Sequence, residues 1–280
     1  MYHHVTRDGG SLSVSAAHFE SQMRGLAQKG YKTLRADDLA AFYNGKPMPR
    51  KSVLITFDDG YLDNWVYAHP VLERYGLNAM LFTVTGLIGQ GPARPCAGGN
   101  AELPACPPHK QAKQIMFSDN PDAVMLRWSE LEAMQSAGTF EIHSHTHTHK
   151  RWDLLCDSEQ EKNERFHADL EQSCLALSQR LGQESAHLCW PQGYTDTDYK
   201  RIAADHGFRY FYTTDARGQN TVKSDVGHIY RFAVRNRAYP WLAQRVWLAR
   251  HPVLGPLYNR WKAGAVNQQS FAMLCMVPVF

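Results

Sequence analysis

Two adjacent carboxylates, Asp58 and Asp59, follow an apolar run at 53–55 in this 280-residue chain and precede Gly60. Acidic residues are poor strand formers, so a pair at a strand's end, before a glycine that permits a sharp turn, indicates a site rather than a requirement of the fold. One carboxylate can bind a metal ion while its neighbour accepts a proton from water. Taken alone, the tripeptide is more typical of a solvated turn.

A histidine cluster makes the metal interpretation stronger, because imidazoles at His143, His145, His147 and His149 fall within seven residues. Two histidines and one carboxylate leave coordination positions open for water and substrate, as in catalytic zinc sites. His145 and His149 are four residues apart, which places both rings on one face if the segment turns helically. His143 and His147 have the same spacing, so spacing alone does not choose the pair. A chance histidine-rich loop is the alternative.

Two ordered motifs, Thr-Phe-Asp-Asp-Gly at 56–60 and Ser-His-Thr-x-x-His at 144–149, resemble those of the NodB-type polysaccharide deacetylases, carbohydrate esterase family 4. The resemblance implies that Asp58 is the general base. It also implies that Asp59, His145 and His149 bind a divalent metal ion, most often Zn²⁺. The substrate it implies is an N-acetylated polysaccharide or oligosaccharide.

Within that family the chain is most similar to the branch of poly-β-1,6-N-acetylglucosamine deacetylases, which share the Met-Tyr-His opening at 1–3. Relatives carry Trp-Pro-Tyr-Gly where this chain has Trp190, Pro191 and Gln192. The resemblance implies that the Gln192 backbone N–H helps to hold the oxyanion. Trp190, Pro191 and Tyr194 are candidate substrate contacts, although an ordinary Pro-Gly turn and core aromatic residues are the alternatives.

The chain departs from the family pattern at two positions. Cys189 stands where the family has an arginine that orients the base, and we expect Arg231 to take that role because one guanidinium can contact a carboxylate through two bonds. The family's late Leu-x-His, which supplies the general acid, is missing. His228 is displaced from that position and is the candidate for the acid; a surface histidine at a strand's edge is the alternative.

The order of elements predicts an α/β fold with chemistry at strand ends, and so a parallel barrel with an open mouth. The resemblance implies a distorted, incomplete (β/α) barrel of about seven parallel strands in a catalytic domain spanning 1–238. Residues 86–125 form a long Pro/Gly-rich excursion, which we interpret as a substrate-groove loop. Strands are expected at 53–57, 79–84, 139–142, 187–190, 208–213 and 228–234, and helices at 15–29, 36–43, 61–75, 129–137 and 158–181.

A C-terminal tail at 239–280 mixes tryptophan and leucine with arginine. This pattern suits a helix in a membrane interface, hence a peripheral membrane contact, and it also suits a terminal helix packed on the barrel. No apolar run is long enough for a spanning helix, and the Met-Tyr-His opening lacks the basic start and apolar stretch of a secretory signal. This predicts a cytoplasmic location, with membrane association through the tail and export from a misplaced start as the alternatives. The net charge of +3 does not indicate nucleic acid as a partner.

Four of the six cysteines show no metal-binding spacing: Cys156, Cys174, Cys189 and Cys275. Cys96 and Cys106 flank a Gly/Pro-rich loop and could bridge in an oxidising compartment, but scattered thiols are more typical of reduced cysteines. The combined interpretation is a metal-dependent hydrolase that removes N-acetyl groups from N-acetylglucosamine-type sugars. A deacylase of a lipid-linked sugar and a non-catalytic carbohydrate-binding relative are the alternatives.

Overall fold

A computed structural model of the chain describes residues 1–259 and residue 261. Its centre is a sheet of five parallel strands, whose order in the sheet follows their order in the chain. The first two of these strands are buried throughout, as is typical of parallel strands covered on both faces. The described strands are β1 (His4–Thr6), β2 (Ser13–Ser15), β3 (Lys32–Thr33), β4 (Ser52–Val53), β5 (Thr56–Asp59), β6 (Ala79–Thr83), β7 (Phe140–Ser144), β8 (His187–Cys189) and β9 (Tyr210–Tyr212).

Helices alternate with the strands of the main sheet, β5 to β9, which curls into a half-barrel of an α/β fold. Helix starts follow the capping signals of the sequence, since the Ser15 and Ser158 side chains accept hydrogen bonds from the backbone N–H groups of His18 and Glu161. The described α-helices are α1 (Ala16–Gln28), α2 (Ala36–Tyr43), α3 (His69–Arg74), α4 (His109–Met116), α5 (Trp128–Ser136), α6 (Glu159–Leu181), α7 (Thr197–Asp205) and α8 (Tyr239–Arg250).

The main sheet of the described residues has five strands where the sequence predicted about seven. The strand expected at 228–234 is wrong, because only Ile229 pairs with β9, through an isolated bridge to Tyr212. Beyond it the backbone N–H groups turn to other partners: Arg231 N donates to Asp215 O and Val234 N donates to Met1 O. The segment therefore closes the open side of the half-barrel without extending the sheet.

The helix expected at 61–75 is interrupted before its proline. Residues Asn64–Ala68 form a wide π-helical turn, and α3 starts only at His69. Pro70 then lies in the first turn of α3, where its missing N–H removes no helical hydrogen bond.

The first part of the predicted tail packs against the barrel. In α8, Leu242 and Val246 are buried in the largest core cluster, and Tyr239 N donates to Ser21 Oγ of α1 at 3.3 Å. One face of α8 therefore packs on the barrel, as the packed-helix alternative predicted. The remainder of the predicted tail, residue 260 and residues 262–280, lies outside the described residues. Over the described part of the chain, we find no helix with the length and apolar character needed to cross a membrane.

Candidate active site

The adjacent carboxylates lie at the C-terminal end of β5, where Asp58 and Asp59 pair with the last two residues of β6. Both are buried, with exposed fractions of 2% and 6%. Asp59 has a φ of 75° and Gly60 a φ of 88°, and a Cβ on Gly60 would lie 2.6 Å from Thr83 Oγ1. Gly60 is therefore required for the chain to leave the sheet here, and the left-handed backbone at Asp59 interrupts the usual alternation of strand side chains.

Two histidines follow β7 and reach the same edge of the sheet. His145 N donates to Thr83 O at 2.9 Å, which fixes the start of the segment. Thr146 and His149 have φ values of 65° and 59°, and the rings of His145 and His149 lie 4.9 Å apart. A left-handed turn, in place of the helical turn that the spacing suggested, therefore brings the two imidazoles together.

The other pair of the cluster is held elsewhere. His143 Nδ1 lies 2.8 Å from Ser185 Oγ, and His147 Nδ1 lies 3.0 Å from Thr85 Oγ1. Neither residue belongs to the group of donor atoms that gathers around Asp59, which consists of Asp59, His145 and His149. The structure thus distinguishes between two pairs that share the same spacing.

The donor atoms around Asp59 fit one small divalent cation. Asp59 Oδ1 lies 3.3 Å from His145 Nε2 and 3.5 Å from His149 Nε2. A tetrahedral Zn²⁺ site with arms of about 2.1 Å has ligand-to-ligand edges of about 3.4 Å. His145 Nδ1 lies 2.8 Å from the Cys189 carbonyl oxygen, which directs Nε2 towards Asp59 in the way that outer contacts orient metal-binding histidines.

A second group of possible donors, Asp58, His145 and Cys189, lies beside the first. Arg231 fills this position: its Nη2 is 2.9 Å from Cys189 Sγ and 2.8 Å from Asp58 Oδ2. A metal ion there would adjoin a buried guanidinium, and like charges at such a distance repel strongly. The Asp59 group is therefore the better cation site.

Arg231 contacts Asp58 through both of its terminal nitrogens. Nη1 donates to Asp58 Oδ1 at 2.7 Å and Nη2 to Oδ2 at 2.8 Å, while Nε donates to Thr213 O at 2.8 Å. Burial raises the pKa of the Asp58 carboxyl, but the charge and hydrogen bonds of Arg231 outweigh burial and hold that pKa below its ordinary value. Asp58 is thus an oriented, ionised carboxylate next to the cation site.

The electrostatics differ among the three candidate ligands. Burial raises the pKa of Asp59, yet a hydrogen bond with His145 and the nearby imidazoles hold it below its usual range. Burial lowers the pKa of His149 to about 4, so this ring is neutral at pH 7. The effect of burial is also to lower the pKa of His145, but Cys189 and Asp59 outweigh burial and raise that pKa well above its ordinary value. A metal ion that binds at His145 must replace a proton there.

The Trp-Pro-Gln-Gly-Tyr segment lies directly after β8. Gln192 is exposed and has a φ of 57°, a left-handed conformation that is uncommon outside glycine and is often found at functional sites. Pro191 is buried and Tyr194 is half-buried, with the Arg151 guanidinium 3.7 Å above its ring. Trp190 has no exposed surface and packs on Phe211. This burial matches the alternative of a core aromatic residue, and a contact with a sugar ring stays a prediction.

His228 lies apart from the carboxylates. Its Nε2 is 3.3 Å from Asp215 Oδ2 and its ring contacts Tyr230, while a third of its side chain is exposed. Asp215 in turn is bonded to Arg217. These contacts match the surface-histidine alternative.

His3 is a site residue to which sequence reasoning gave no role. Tyr2 N donates to Thr56 O at 2.8 Å and Asp58 N donates to Tyr2 O at 3.0 Å, so residue 3 is carried alongside the end of β5. Its half-buried imidazole is close enough to both carboxylates that its charge lowers the pKa of Asp58 and of Asp59. The Met-Tyr-His opening was the signal, but nothing local in the sequence shows which strand it joins.

The long excursion contributes α4 to the rim of the site. Phe117, at the C-terminal end of α4, is 54% exposed, and its ring lies 6.3 Å from that of His149. At the other end of α4, His109 Nδ1 lies 3.2 Å from His4 Nε2, and His4 Nδ1 lies 2.5 Å from Asp63 Oδ2. Cys96 and Cys106, within the same excursion, are free thiols.

A curled parallel half-barrel with an Asp-Asp pair and two histidines at its strand ends is the framework of a metal-dependent hydrolase. The chain belongs to the polysaccharide deacetylase family, because the model of that family, described as "Polysaccharide deacetylase", matches residues 45–211. The family and the enzyme class predicted from the sequence, a carbohydrate N-deacetylase that hydrolyses an amide bond, are thereby confirmed.

Individual relatives agree with this assignment. YxkH of Bacillus subtilis (strain 168) is 42% identical over 90 residues, which make up 32% of this chain and only 32% of that protein. The poly-β-1,6-N-acetyl-D-glucosamine N-deacetylase of Staphylococcus aureus (strain MSSA476) is 24% identical over 244 residues, covering 84% of this chain and 72% of that one. The Streptococcus pyogenes deacetylase PplD, solved in complex with acetate, has a TM-score of 0.68 at 19% identity and covers 87% and 95% of the two chains. This last likeness shows the shared fold.

Proposed function

We propose that this chain removes N-acetyl groups from N-acetylglucosamine units of a polysaccharide, with Zn²⁺ held by Asp59, His145 and His149. The β-1,6-linked polymer named for the S. aureus relative is the first candidate substrate, because that similarity extends over 84% of this chain. One observation carries the proposal. An ionised, two-pronged Asp58–Arg231 pair lies directly beside donor atoms spaced for a single divalent cation.

The donor set suits zinc because imidazole nitrogen and carboxylate oxygen are its usual ligands, and three protein ligands leave one position open. When bound, such a cation acts as a Lewis acid towards the acetamide carbonyl and makes water more acidic. Asp58 accepts the proton of the attacking water, and Arg231 holds both carboxylate oxygens in place for that transfer. The Gln192 backbone N–H, presented by a left-handed residue, stabilises the oxyanion that develops on the substrate.

Cleavage of the C–N bond requires a proton for the departing amine, and we assign that proton to His3. Its half-buried imidazole is near enough to both carboxylates for its charge to lower the pKa of each, whereas His228 is bonded to Asp215. The products are acetate and a free amino sugar. Tyr194 and Phe117 are the aromatic rings with exposed surface that can contact the polymer.

Two variants separate the metal site from the base. Asp58→Asn should retain about one zinc per chain and lose turnover on N-acetylglucosamine oligomers by at least about 100-fold, because general base catalysis contributes that much. Asp59→Asn, the matched substitution at the neighbouring position, should lose both zinc and turnover. Metal content measured alongside acetate release tests the assignment. Near wild-type turnover in Asp58→Asn, or full zinc content in Asp59→Asn, would contradict it.

The two alternative functions receive no comparable support. A non-catalytic relative has no need of an intact base or ligand set, and both are present together here. No comparison favours a lipid-linked sugar as the substrate over a polysaccharide.

A further inference from the structure

A cavity of about 660 Å³ lies at the open side of the half-barrel. It is bounded by the residues before and at the start of β5, by α2 and by α8, and most of its wall is apolar. This volume is in the range of sites that hold one small organic ligand. The apolar wall includes Leu39, Phe42, Leu54, Leu242, Val246 and Ala249.

The charged residues of this wall all have the same sign. Arg50, Arg231, Arg245 and Arg250 line the cavity, and none of its described lining residues is Asp or Glu. Arg231 is already paired with Asp58. The three remaining guanidiniums give the cavity a positive potential that only an anion can neutralise.

Arg245 is the most informative of these arginines because it is 94% buried yet lacks a carboxylate partner in the described part of the chain. Its Nη2 donates to Asn259 Oδ1 at 3.1 Å, and its Cζ lies 4.5 Å from the centre of the Phe232 ring and 5.2 Å from that of Tyr258. Its Nη1 has no hydrogen-bond partner among residues 1–259 and 261. Burying a guanidinium with an unpaired nitrogen costs free energy unless a bound ligand supplies the missing hydrogen bond.

The mouth of the cavity combines cations with exposed apolar side chains. Arg50 and Arg250 also line a neighbouring hollow of about 310 Å³, together with Lys51 and Trp247. Trp247 is 53% exposed, and further along the chain Val253, Leu257 and Trp261 are more than half exposed. Basic residues beside exposed tryptophan and aliphatic side chains are typical of surfaces that meet an anionic bilayer.

We propose that this cavity binds one anionic lipid at a membrane surface, with an acyl chain along the apolar wall and the negative head group neutralising Arg245. Arg50, Lys51 and Arg250 contact the surrounding anionic lipids, and the exposed side chains around Trp247 enter the interface. Arg231 lies between the two sites, but none of the candidate metal ligands lines the cavity. The inference therefore goes beyond the deacetylase function and does not depend on it.

Two variants of the full chain test the cavity itself. Arg245→Met removes the charge with little change in shape, and Ala249→Phe fills the apolar end with no change in charge. Arg165→Met is the control, because Arg165 is an exposed arginine on α6 and its loss changes the net charge equally. We expect the wild-type chain to bind phosphatidylcholine vesicles that contain phosphatidylglycerol. Both cavity variants should bind at least about tenfold more weakly, and the control should bind as the wild type does.

Soluble probes separate a lipid site from a phosphate site. Native mass spectrometry should show one lyso-phosphatidylglycerol bound per chain, with neither lyso-phosphatidylcholine nor glycerol phosphate bound at the same concentration. Thermal unfolding of each variant confirms that it is folded before binding is compared. Wild-type vesicle binding by both cavity variants would overturn the proposal, as would glycerol phosphate binding as tightly as the lysolipid. Acetate release is measured on the same samples, so a failure here is distinct from a failure of the deacetylase function.

Discussion

Asp58 combines two properties that a buried carboxylate rarely has together, since it is both ionised and fixed. Each of its oxygens accepts a hydrogen bond from Arg231, and Arg231 is itself fixed by Thr213 O and by Thr56 Oγ1. The guanidinium offsets the cost of burying the negative charge, and its planar fork sets the direction of both oxygens. At the scale of single residues, the geometry of this pair determines how well Asp58 can act as a base.

Arg231→Lys is the first prediction. Lysine keeps the positive charge but cannot make two parallel bonds to one carboxylate. We expect turnover to fall by about 10- to 100-fold, because the base loses its alignment while its charge is still compensated. Zinc content should not change, since Arg231 contacts Asp58 and not the ligand group. Turnover equal to wild type would show that the alignment of Asp58 is set elsewhere.

The proton donor gives the second prediction, in which two histidines are compared. His3→Gln should lower kcat by at least about 100-fold, as expected when a general acid is removed. His228→Gln should remain near the wild-type rate, because its imidazole is paired with Asp215. Acetate release by the two variants at matched zinc content checks this. A large loss in His228→Gln with normal activity in His3→Gln would reverse the assignment.

The candidate site was only partly predictable from sequence at this scale. Two motifs, each formed by residues close together in the chain, predicted Asp58, Asp59, His145 and His149. His3 and Arg231 could not be placed in the same way, because each reaches Asp58 from a distant part of the chain. The burial of Trp190 could not be predicted either, since the sequence does not show that Phe166, Tyr199 and Phe211 enclose its ring.

Strand β8 carries a buried imidazole whose lowered pKa makes the stability of the fold depend on pH. His187 is 5% exposed, its Nδ1 lies 2.9 Å from the Tyr212 hydroxyl, and its ring stacks on Tyr210. Burial lowers its pKa from 6.5 to about 4. The folded state therefore favours the neutral ring, while the unfolded chain takes up a proton below pH 6.5.

The third prediction concerns His187→Gln. The contribution of the neutral ring to stability is fully present above pH 6.5 and is lost as the pH falls towards 4. Across that window it amounts to at most about 3 kcal/mol. Urea unfolding at pH 7 and pH 5 should therefore show a smaller loss of stability in His187→Gln than in the wild type. Equal losses in the two proteins would exclude His187 as a source of the acid sensitivity.

Element boundaries show where local sequence signals are sufficient. Helices α1, α2, α5 and α6 were predicted almost to the residue, because caps and apolar spacing lie within the helix itself. The apolar run at 53–57 is divided between β4 and β5, which pair in different sheets. The segment at 228–234 has the composition of a strand, but only Ile229 in it pairs with β9. Pairing partners are non-local, so composition alone could not identify either departure.

For the whole molecule, the open side of the half-barrel explains how the site is completed. The start of the chain and the segment after β9 meet there, because Val234 N donates to Met1 O and Tyr2 N donates to Thr56 O of β5. This closure brings His3 and Arg231 to the carboxylates. It also leaves the apolar cavity between the sheet and α8. The class of fold was predictable from the alternation of elements, whereas the number of strands and the manner of closure were not.

The fourth prediction tests the docking of α8 on α1. A Cβ on Gly25 would lie 2.1 Å from the Tyr239 ring. In an isolated helix Gly→Ala stabilises by about 1 kcal/mol, but here we expect Gly25→Ala to destabilise by about 1–3 kcal/mol through overpacking. The double variant Gly25→Ala/Tyr239→Ala should recover most of that loss. A stabilised single variant in thermal unfolding would contradict the packing of α8.

The most direct measurement of the central claim is acetate release by the zinc-loaded full chain from β-1,6- and β-1,4-linked N-acetylglucosamine oligomers, with Asp58→Asn as the blank. We predict release from the β-1,6-linked oligomer that is abolished in Asp58→Asn and by removal of the metal. No release from either oligomer by the wild type, with zinc confirmed bound, would contradict the assignment of this chain as an N-acetylglucosamine deacetylase.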